Sequence, residues 1–255
     1  MKITILGSGT CVPRLTRSAS SVLVESGRAK ILVDLGPGTM HRLLQYGLTI
    51  FDLTHIFLTH FHPDHTAELV PLLFATKYPD AEARTHRLTL AAGTGLKRFY
   101  QGLRAVYDHW IVLPEDQMAL QEIDTLAGET IRYFEDFVLT ARPVNHRPES
   151  LAYRISDPDG RSMACSGDTD VCDALVDVAR EVDLFICESA MPDSHKVPGH
   201  LTPSLAGRIA GRADARHLVL THLYPECDGQ DLVKQAAGTY KGPVTVAEDL
   251  MSFVL

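Results

Sequence analysis

Cysteine is scarce and scattered in this chain. Its five residues, Cys11, Cys165, Cys172, Cys187 and Cys227, are odd in number and never form CxxC. That excludes a disulfide framework and a cysteine zinc site, and leaves the thiols as buried core residues. Long apolar runs are also missing, so no segment can span a bilayer and no membrane partner is expected. The opening MKITILGSGT has one lysine and few apolar residues before glycine. It is too short for a signal-peptide core and reads as a first strand, which implies a cytoplasmic protein. Positive charge is in deficit: 24 Lys and Arg stand against 32 Asp and Glu, a formal net charge of −8. Broad nucleic-acid binding needs a basic face, whereas one phosphate needs only a local pocket.

A third glycine is missing where a dinucleotide site would need it. ITIL followed by Gly7-Ser8-Gly9 opens like that fingerprint, but Val12 stands at the third glycine position and Pro13 obstructs the helix. A nicotinamide or flavin role is thereby excluded, and Gly7 and Gly9 read instead as a tight turn at a strand end. There is no low-complexity linker, short repeat or Gly/Ser-rich hinge. What is present suffices for a large core: 255 residues, 45% of them hydrophobic, as one large domain or two pseudo-repeated halves.

Short β-branched runs (ITIL, SVLV, KILVDL, IFLTH) read as strands in the first sixty residues. PGTMHRLLQYG reads as a helix, with Pro37 near its start and Gly47 just past its end. Pro71 is expected to split HTAELVPLLFATKY into two short helices. RLTLAA reads as a strand and GLKRFYQGLRAVYDH as an amphipathic helix. TIRYFEDFVLTARPVNH, LAYRIS and SMACSGDT alternate as strands; DALVDVAREV is a helix, DLFICES a strand, PSLAGRIAGRA a helix and HLVLTH a strand. DLVKQAAGTY is a last helix before strands at VTVA and SFVL. Mixed strands with interspersed helices predict two sheets covered by helices, a four-layer α/β sandwich.

The chemistry concentrates in THFHPDH, where His60, His62, Asp64 and His65 place four potential metal ligands within six residues. Imidazole with carboxylate suits a borderline cation such as zinc, iron or manganese. The run follows the apolar strand FDLTHIFL and is expected on a loop, where rigid scaffolds usually place chemistry. His146, Asp168 and His222 repeat the pattern, each a polar residue closing an apolar strand, so that separate strands can converge on one point. Singly, His146 or His222 is more often a hydrogen-bonded structural histidine.

These segments resemble the metallo-β-lactamase superfamily, in its ribonuclease Z-like and phosphodiesterase branch. LVDLGPGT is similar to motif I, THFHPDHTAEL to motif II, NHRPESLAYRI to motif III, CSGDTD to motif IV and LTHLYP to motif V. The resemblance runs over essentially the whole chain and implies a single hydrolase domain, 1–255, with the four-layer αββα fold. It implies two divalent ions, zinc first and manganese or iron as alternatives. His60, His62 and His146 would hold one, Asp64, His65 and His222 the other, and Asp168 would bridge them. Asp34 would hold the motif II loop from behind. ICESAMP and GHLTPSLAGRIA resemble segments carrying a catalytic pair, Glu188 and His200, which with Asp64 complete the catalytic set. In the resemblance, His200 protonates the leaving oxygen, while Thr202 and Pro203 begin the next helix. His41, His55, His86, His109, His195 and His217 fall on no motif and read as surface or packing residues. Trp110 reads as core or pocket wall.

One element of ribonuclease Z is absent. Its tRNA-gripping arm often lies between motifs III and IV, but here His146 and Asp168 are only 22 residues apart. Two strands and a turn at Asp157-Pro158-Asp159-Gly160 fill the interval. The expected function is therefore binuclear hydrolysis of a small phosphodiester through a metal-bridging hydroxide, with tRNA disfavoured as a partner. The alternatives are hydrolysis of a carboxylic ester, lactone, thioester or sulfate ester, or an armless ribonuclease Z-like RNA endonuclease. Less favoured are a non-catalytic metal- or RNA-binding module, and a diiron redox enzyme, for which no flavin domain is fused. Related enzymes are often dimers, so a homodimer is one expected assembly.

Overall fold

The computed structural model describes residues 1–77 and 84–255. In chain order its elements are β1 (Lys2–Gly7), β2 (Ser21–Ser26), β3 (Ala29–Val33), α1 (Thr39–Tyr46), β4 (His55–Leu58), α2 (Pro63–Thr66), α3 (Leu69–Thr76), β5 (Leu88–Gly93), α4 (Leu96–Tyr107) and β6 (Met118–Ile123). There follow β7 (Thr130–Tyr133), β8 (Val138–Pro143), β9 (Leu151–Ser156), β10 (Ser162–Cys165), α5 (Asp173–Val178), β11 (Leu184–Glu188), α6 (Pro203–Arg212), β12 (Leu218–Thr221), α7 (Leu232–Ala237), β13 (Val244–Val246) and β14 (Ser252–Val254).

Two seven-stranded sheets form, ordered β14-β1-β2-β3-β4-β5-β6 and β13-β12-β11-β10-β9-β8-β7. Alternation along each strand decides what lies between and outside them. Ile3, Ile5, Val22, Val24, Ile31, Val33 and Phe57 of the first sheet meet Leu139, Tyr153, Ile155, Met163, Ile186 and Val219 of the second. Their neighbours on the opposite faces, Leu23, Leu32, Ile56 and Leu58, pack under α1, α3 and α4. Ala164, Phe185, Cys187, Leu218 and Leu220 pack under α5, α6 and α7. Central strands are thus apolar on both faces, which is why they read as continuous hydrophobic runs. The four-layer αββα sandwich expected from the sequence is the observed architecture. No helix among the described residues is long and apolar enough to cross a membrane.

The helix around position 43 ends as expected, with Gly47 in the left-handed region at φ 99° donating to Leu43 and Leu44. Its N-terminus is capped from a distance: the Glu68 carboxylate accepts from the backbone N–H groups of Gly38 and Met40 at 2.6 Å. The break between α2 and α3 falls at Ala67-Glu68, earlier than Pro71. Pro71 sits in the first turn of α3, where a missing N–H costs little. Tyr78, the last residue of that expected helical stretch, lies outside the described residues. Of the cysteines, Cys165, Cys187 and Cys227 are buried free thiols, but Cys11 is exposed and Cys172 only partly buried. Cys11 belongs to the loop after β1 and not to a strand, which is why burial fails there. Gly7 is held to glycine by close approach: a Cβ there would lie 1.8 Å from the Ala19 carbonyl oxygen, beside an irregularity in β1–β2 pairing.

Candidate metal centre

Strand direction places the chemistry at one end of the sandwich. β3, β4 and β5 run parallel, and so do β10, β11 and β12. β8 is antiparallel to β9 and β9 to β10, so β8 points the same way as β10. Asp34 follows β3, His60 β4, His146 β8, Asp168 β10 and His222 β12, while Glu188 closes β11. The carboxyl ends of such strands are where open α/β folds usually bind ligands. His62 precedes the single turn of α2, on which Asp64 and His65 lie, so the run is half helical and not wholly a loop. Pro63 at the first helical position explains the early start. Among the non-glycine residues with a left-handed backbone are two of this site, Asp34 at φ 65° and His222 at φ 58°. Such strain persists where the surroundings impose it.

The buried Asp168 carboxylate lies among the imidazoles. Its Oδ2 is 3.6 Å from His60 Nε2 and 3.9 Å from His146 Nε2. Its Oδ1 is 3.2 Å from His65 Nε2 and 3.4 Å from His222 Nε2. His60, His62, His146 and Asp168 offer ligand atoms within 4.8 Å of one another, as do Asp64, His65 and His222. A third overlapping group is Asp168, His200 and His222.

Hydrogen bonds behind the histidines fix which nitrogen faces Asp168. His146 Nδ1 lies 3.0 Å from the Gly199 carbonyl, which can only accept, so Nδ1 donates and Nε2 keeps a lone pair. His65 Nδ1 donates to Asp34 Oδ2 at 2.7 Å. Asp34 also accepts from the Thr59 backbone N–H at 2.7 Å and from its hydroxyl at 2.9 Å. With the Thr59 proton so engaged, Thr59 Oγ1 accepts from His60 Nδ1 at 3.0 Å. The result is a set of Nε2 atoms converging on a carboxylate with nothing between them. His60 Nε2, His65 Nε2, Asp168 Oδ1 and both His222 nitrogens are buried and make no hydrogen bond.

Buried polar atoms are rarely left without a partner. Lone pairs aimed at carboxylate oxygens repel unless a cation intervenes. Imidazole and carboxylate donors in this number fit a divalent ion. The protonation tendencies agree for His60 and His222, which burial favours as neutral rings with a lone pair, whereas His65 is pulled the other way by the two carboxylates beside it. Burial drives His60 down strongly, with His65 adding to the effect. Burial lowers His222 to about 4 although Asp168 opposes it. Burial also lowers His65, but the charges of Asp168 and Asp34 outweigh it and hold this imidazole well above its ordinary value. The His/Asp cluster is suited to divalent metal binding.

Beside it, His200 Nδ1 is 3.0 Å from Glu188 Oε1. Glu188 is fully buried and also accepts from the Thr169 and Ala190 backbone at 2.9 and 3.2 Å. Burial pushes Glu188 up to about 7, with the His200 hydrogen bond opposing. His200 is raised in turn, the Glu188 bond and charge outweighing burial. The hydrogen bond places the pair to hold a proton between Glu188 and His200. Among the described residues, none forms a hydrogen bond with His200 Nε2. Thr202 occupies the N-cap position of α6 without a side-chain cap bond.

His41, His55, His86, His109, His195 and His217 belong to none of the candidate metal groups among the described residues. Trp110 is 46% exposed and lines an apolar surface cavity with Val70, Pro71 and Phe74, not the metal cluster. Sequence reading passed over Thr59, Thr169 and Tyr224. Each is one or two residues from a ligand position, inside motifs already singled out, and that adjacency was the available signal. Phe61, between His60 and His62, stacks on Phe99 at 4.7 Å and lines an open cavity of about 450 Å³ with Arg98 and Glu149.

A family model described as Anti-Pycsar protein Apyc1 matches residues 1–201. The uncharacterized protein Rv1339 of Mycobacterium tuberculosis is 31% identical over 253 residues, covering 96% of this chain and 88% of its own. A ribonuclease Z of Streptomyces coelicolor is 28% identical over 296 positions, covering 98% of this chain and 96% of its own. The metallo-β-lactamase fold protein YhfI of Bacillus subtilis superposes with a TM-score of 0.84 at 24% identity, covering 99% of this chain and 98% of its own. Fold and relatives together make this a hydrolase of metallo-β-lactamase fold.

Proposed function

This chain belongs to the family described as Anti-Pycsar protein Apyc1, and from that premise we propose that it is a binuclear metal-dependent phosphodiesterase acting on a small phosphodiester. Residues 1–255 act as one hydrolase domain. The observation that carries the reading is Asp168, whose two carboxylate oxygens each face the Nε2 atoms of a different pair of imidazoles. His60, His62 and His146 would hold one ion and Asp64, His65 and His222 the other, with Asp168 placed to serve both; zinc fits the donors, with manganese or iron as alternatives. Such ions supply Lewis acidity toward phosphate oxygens and a water-derived nucleophile at neutral pH. Asp34 keeps His65 oriented with its lone pair inward. Glu188 holds the His200 Nδ1 proton, which leaves Nε2–H of the cationic imidazole to be given to the departing oxygen.

The size of the substrate follows from what is missing. Between His146 and Asp168 the chain forms only β9, the turn at Asp157–Gly160 and β10. The alignment to the S. coelicolor ribonuclease Z runs over 296 positions, so more than forty of them have no counterpart in this 255-residue chain. A second reading, an armless ribonuclease Z-like RNA endonuclease, draws support from that same relative. Hydrolysis of a carboxylic ester, lactone or sulfate ester also expels an oxygen that the Glu188–His200 pair could protonate, but none of the relatives named above points to it.

Leaving-group dependence tests the reading. His200→Ala is expected to keep its metal and lose about 10²–10⁴-fold in kcat on an alkyl phosphodiester, the usual range for general acid catalysis. On a nitrophenyl phosphodiester, whose leaving group departs unaided, the loss is small. Equal losses on both, or wild-type turnover of a lactone above that of either diester, would sink it.

A further inference from the structure

His200 sits at the end of a segment with little apolar anchorage. Residues 193–198 are exposed without interruption between Pro192 and Gly199. Such stretches open locally at low free energy unless polar contacts tie them down. The far end is tied by Asp193, which accepts from the Ser204 backbone and hydroxyl, and whose backbone N–H donates to Gln235. The end nearest the centre is tied by Asp170. Its Oδ2 accepts from Lys196 Nζ at 2.8 Å and from the Gly199 backbone N–H at 3.0 Å. Its Oδ1 accepts from the Val171 N–H at 2.9 Å, and its own N–H donates to Asn145 at 2.8 Å.

Gly199 is the hinge of this arrangement. Its φ is 83°, and a Cβ there would lie 3.1 Å from His146 Nδ1. Its carbonyl accepts from His146 and its N–H is held by Asp170, and the next residue is His200. One carboxylate oxygen thus links the loop carrying Asp168 to the strap carrying His200.

We propose that Asp170 is a positioning residue that latches the 193–200 strap through Lys196 and Gly199 and so holds His200 against Glu188, in reach of the leaving oxygen. This rests on the proton-donor reading of His200 above. A side chain released from its tether still samples the right geometry, but less of the time, so turnover falls without any loss of metal affinity.

The test uses Asp170→Ala in the full-length, metal-loaded protein, with two readouts. In amide exchange, the segment containing Gly199 and His200 is expected to exchange at least about tenfold faster than wild type, while β10 and β12 are unchanged. In kinetics, kcat on the alkyl diester is expected to fall about tenfold with little change on the nitrophenyl diester. Adding Asp170→Ala to His200→Ala should cost nothing further, because the two act as a unit. Lys196→Met, which removes one of the two tethers, should give a smaller effect of the same kind. Unchanged exchange at 196–200, equal losses on both diesters in Asp170→Ala, additive losses in the double variant or loss of bound metal each overturn the latch. If His200→Ala itself shows no leaving-group dependence, the proton-donor reading fails, and the exchange measurement still decides whether Asp170 holds the strap.

Discussion

Asp168 is the residue on which both halves of the centre depend. The histidines around it come from separate segments of the chain, and His60, His65 and His146 each keep a hydrogen bond behind the ring. Only Asp168 faces both groups, at 3.6 and 3.9 Å on one oxygen and 3.2 and 3.4 Å on the other. Asp168→Ala is therefore expected to lower metal content at both sites together, read by elemental analysis, while His146→Ala weakens one. Retention of two ions per chain in Asp168→Ala would contradict the bridging role. The candidate ligand positions stand out in the sequence because His60, His146, Asp168 and His222 follow apolar strands and His62, Asp64 and His65 crowd directly behind the first of them. Asp170 was not, because its partners lie 26 and 29 residues further on in an exposed strap with no periodicity. Thr59 was quoted within a motif, but only the structure shows that it passes the orientation of Asp34 on to His60.

At the scale of elements, the junction of β4 with the β7–β8 turn holds an aromatic group whose effect on stability depends on pH. His55, on β4, packs edge-on against Phe134 and Phe137 at 4.8 and 5.0 Å. Burial lowers its pKa to about 4, with His86 adding to the shift. In the unfolded chain the same imidazole takes up its proton near 6.5. The folded-state value is the lower one, so the unfolded state binds more protons between about 6.5 and 4. Stability is accordingly full above that window and falls as pH drops through it, by about 2–3 kcal/mol at pH 4.5. His55→Phe cannot titrate, so its unfolding free energy, from denaturant titrations at pH 7 and 4.5, should fall by about that much less than wild type. Equal falls would show that His55 is not held neutral. The elements themselves were read with uneven success. β6 was passed over because its inner residues, Ala119 to Glu122, are only half-buried and end in Gln121 and Glu122, so it lacks the run of its neighbours. α5 and α7 are shorter than their apolar patterns, ending at Val178 and Ala237; Val182 and Tyr240 beyond them stay buried without helical backbone, and Glu181 takes a left-handed conformation at φ 54°.

For the molecule as a whole, the layer order followed from continuous apolar strands separated by one-faced helices, since strands buried on both faces need helices outside and a second sheet inside. What could not be read was how the two sheets meet, because pairing β14 with β1 and placing β13 beside β12 are contacts made by the last dozen residues with distant strands. Size and charge act at this scale too. With a net charge of −8 and no arm between β9 and β10, long-range attraction to a polyanion is weak, whereas one phosphate is drawn by the metal centre alone. The most direct measurement is kcat/KM for a cyclic or chromogenic phosphodiester and for a precursor tRNA, with the same zinc loading and salt. The small diester is expected to be cleaved far more efficiently. Efficient, site-specific removal of a tRNA 3′ trailer, with the small diester turned over more slowly, would contradict the small-diester reading and favour ribonuclease Z activity.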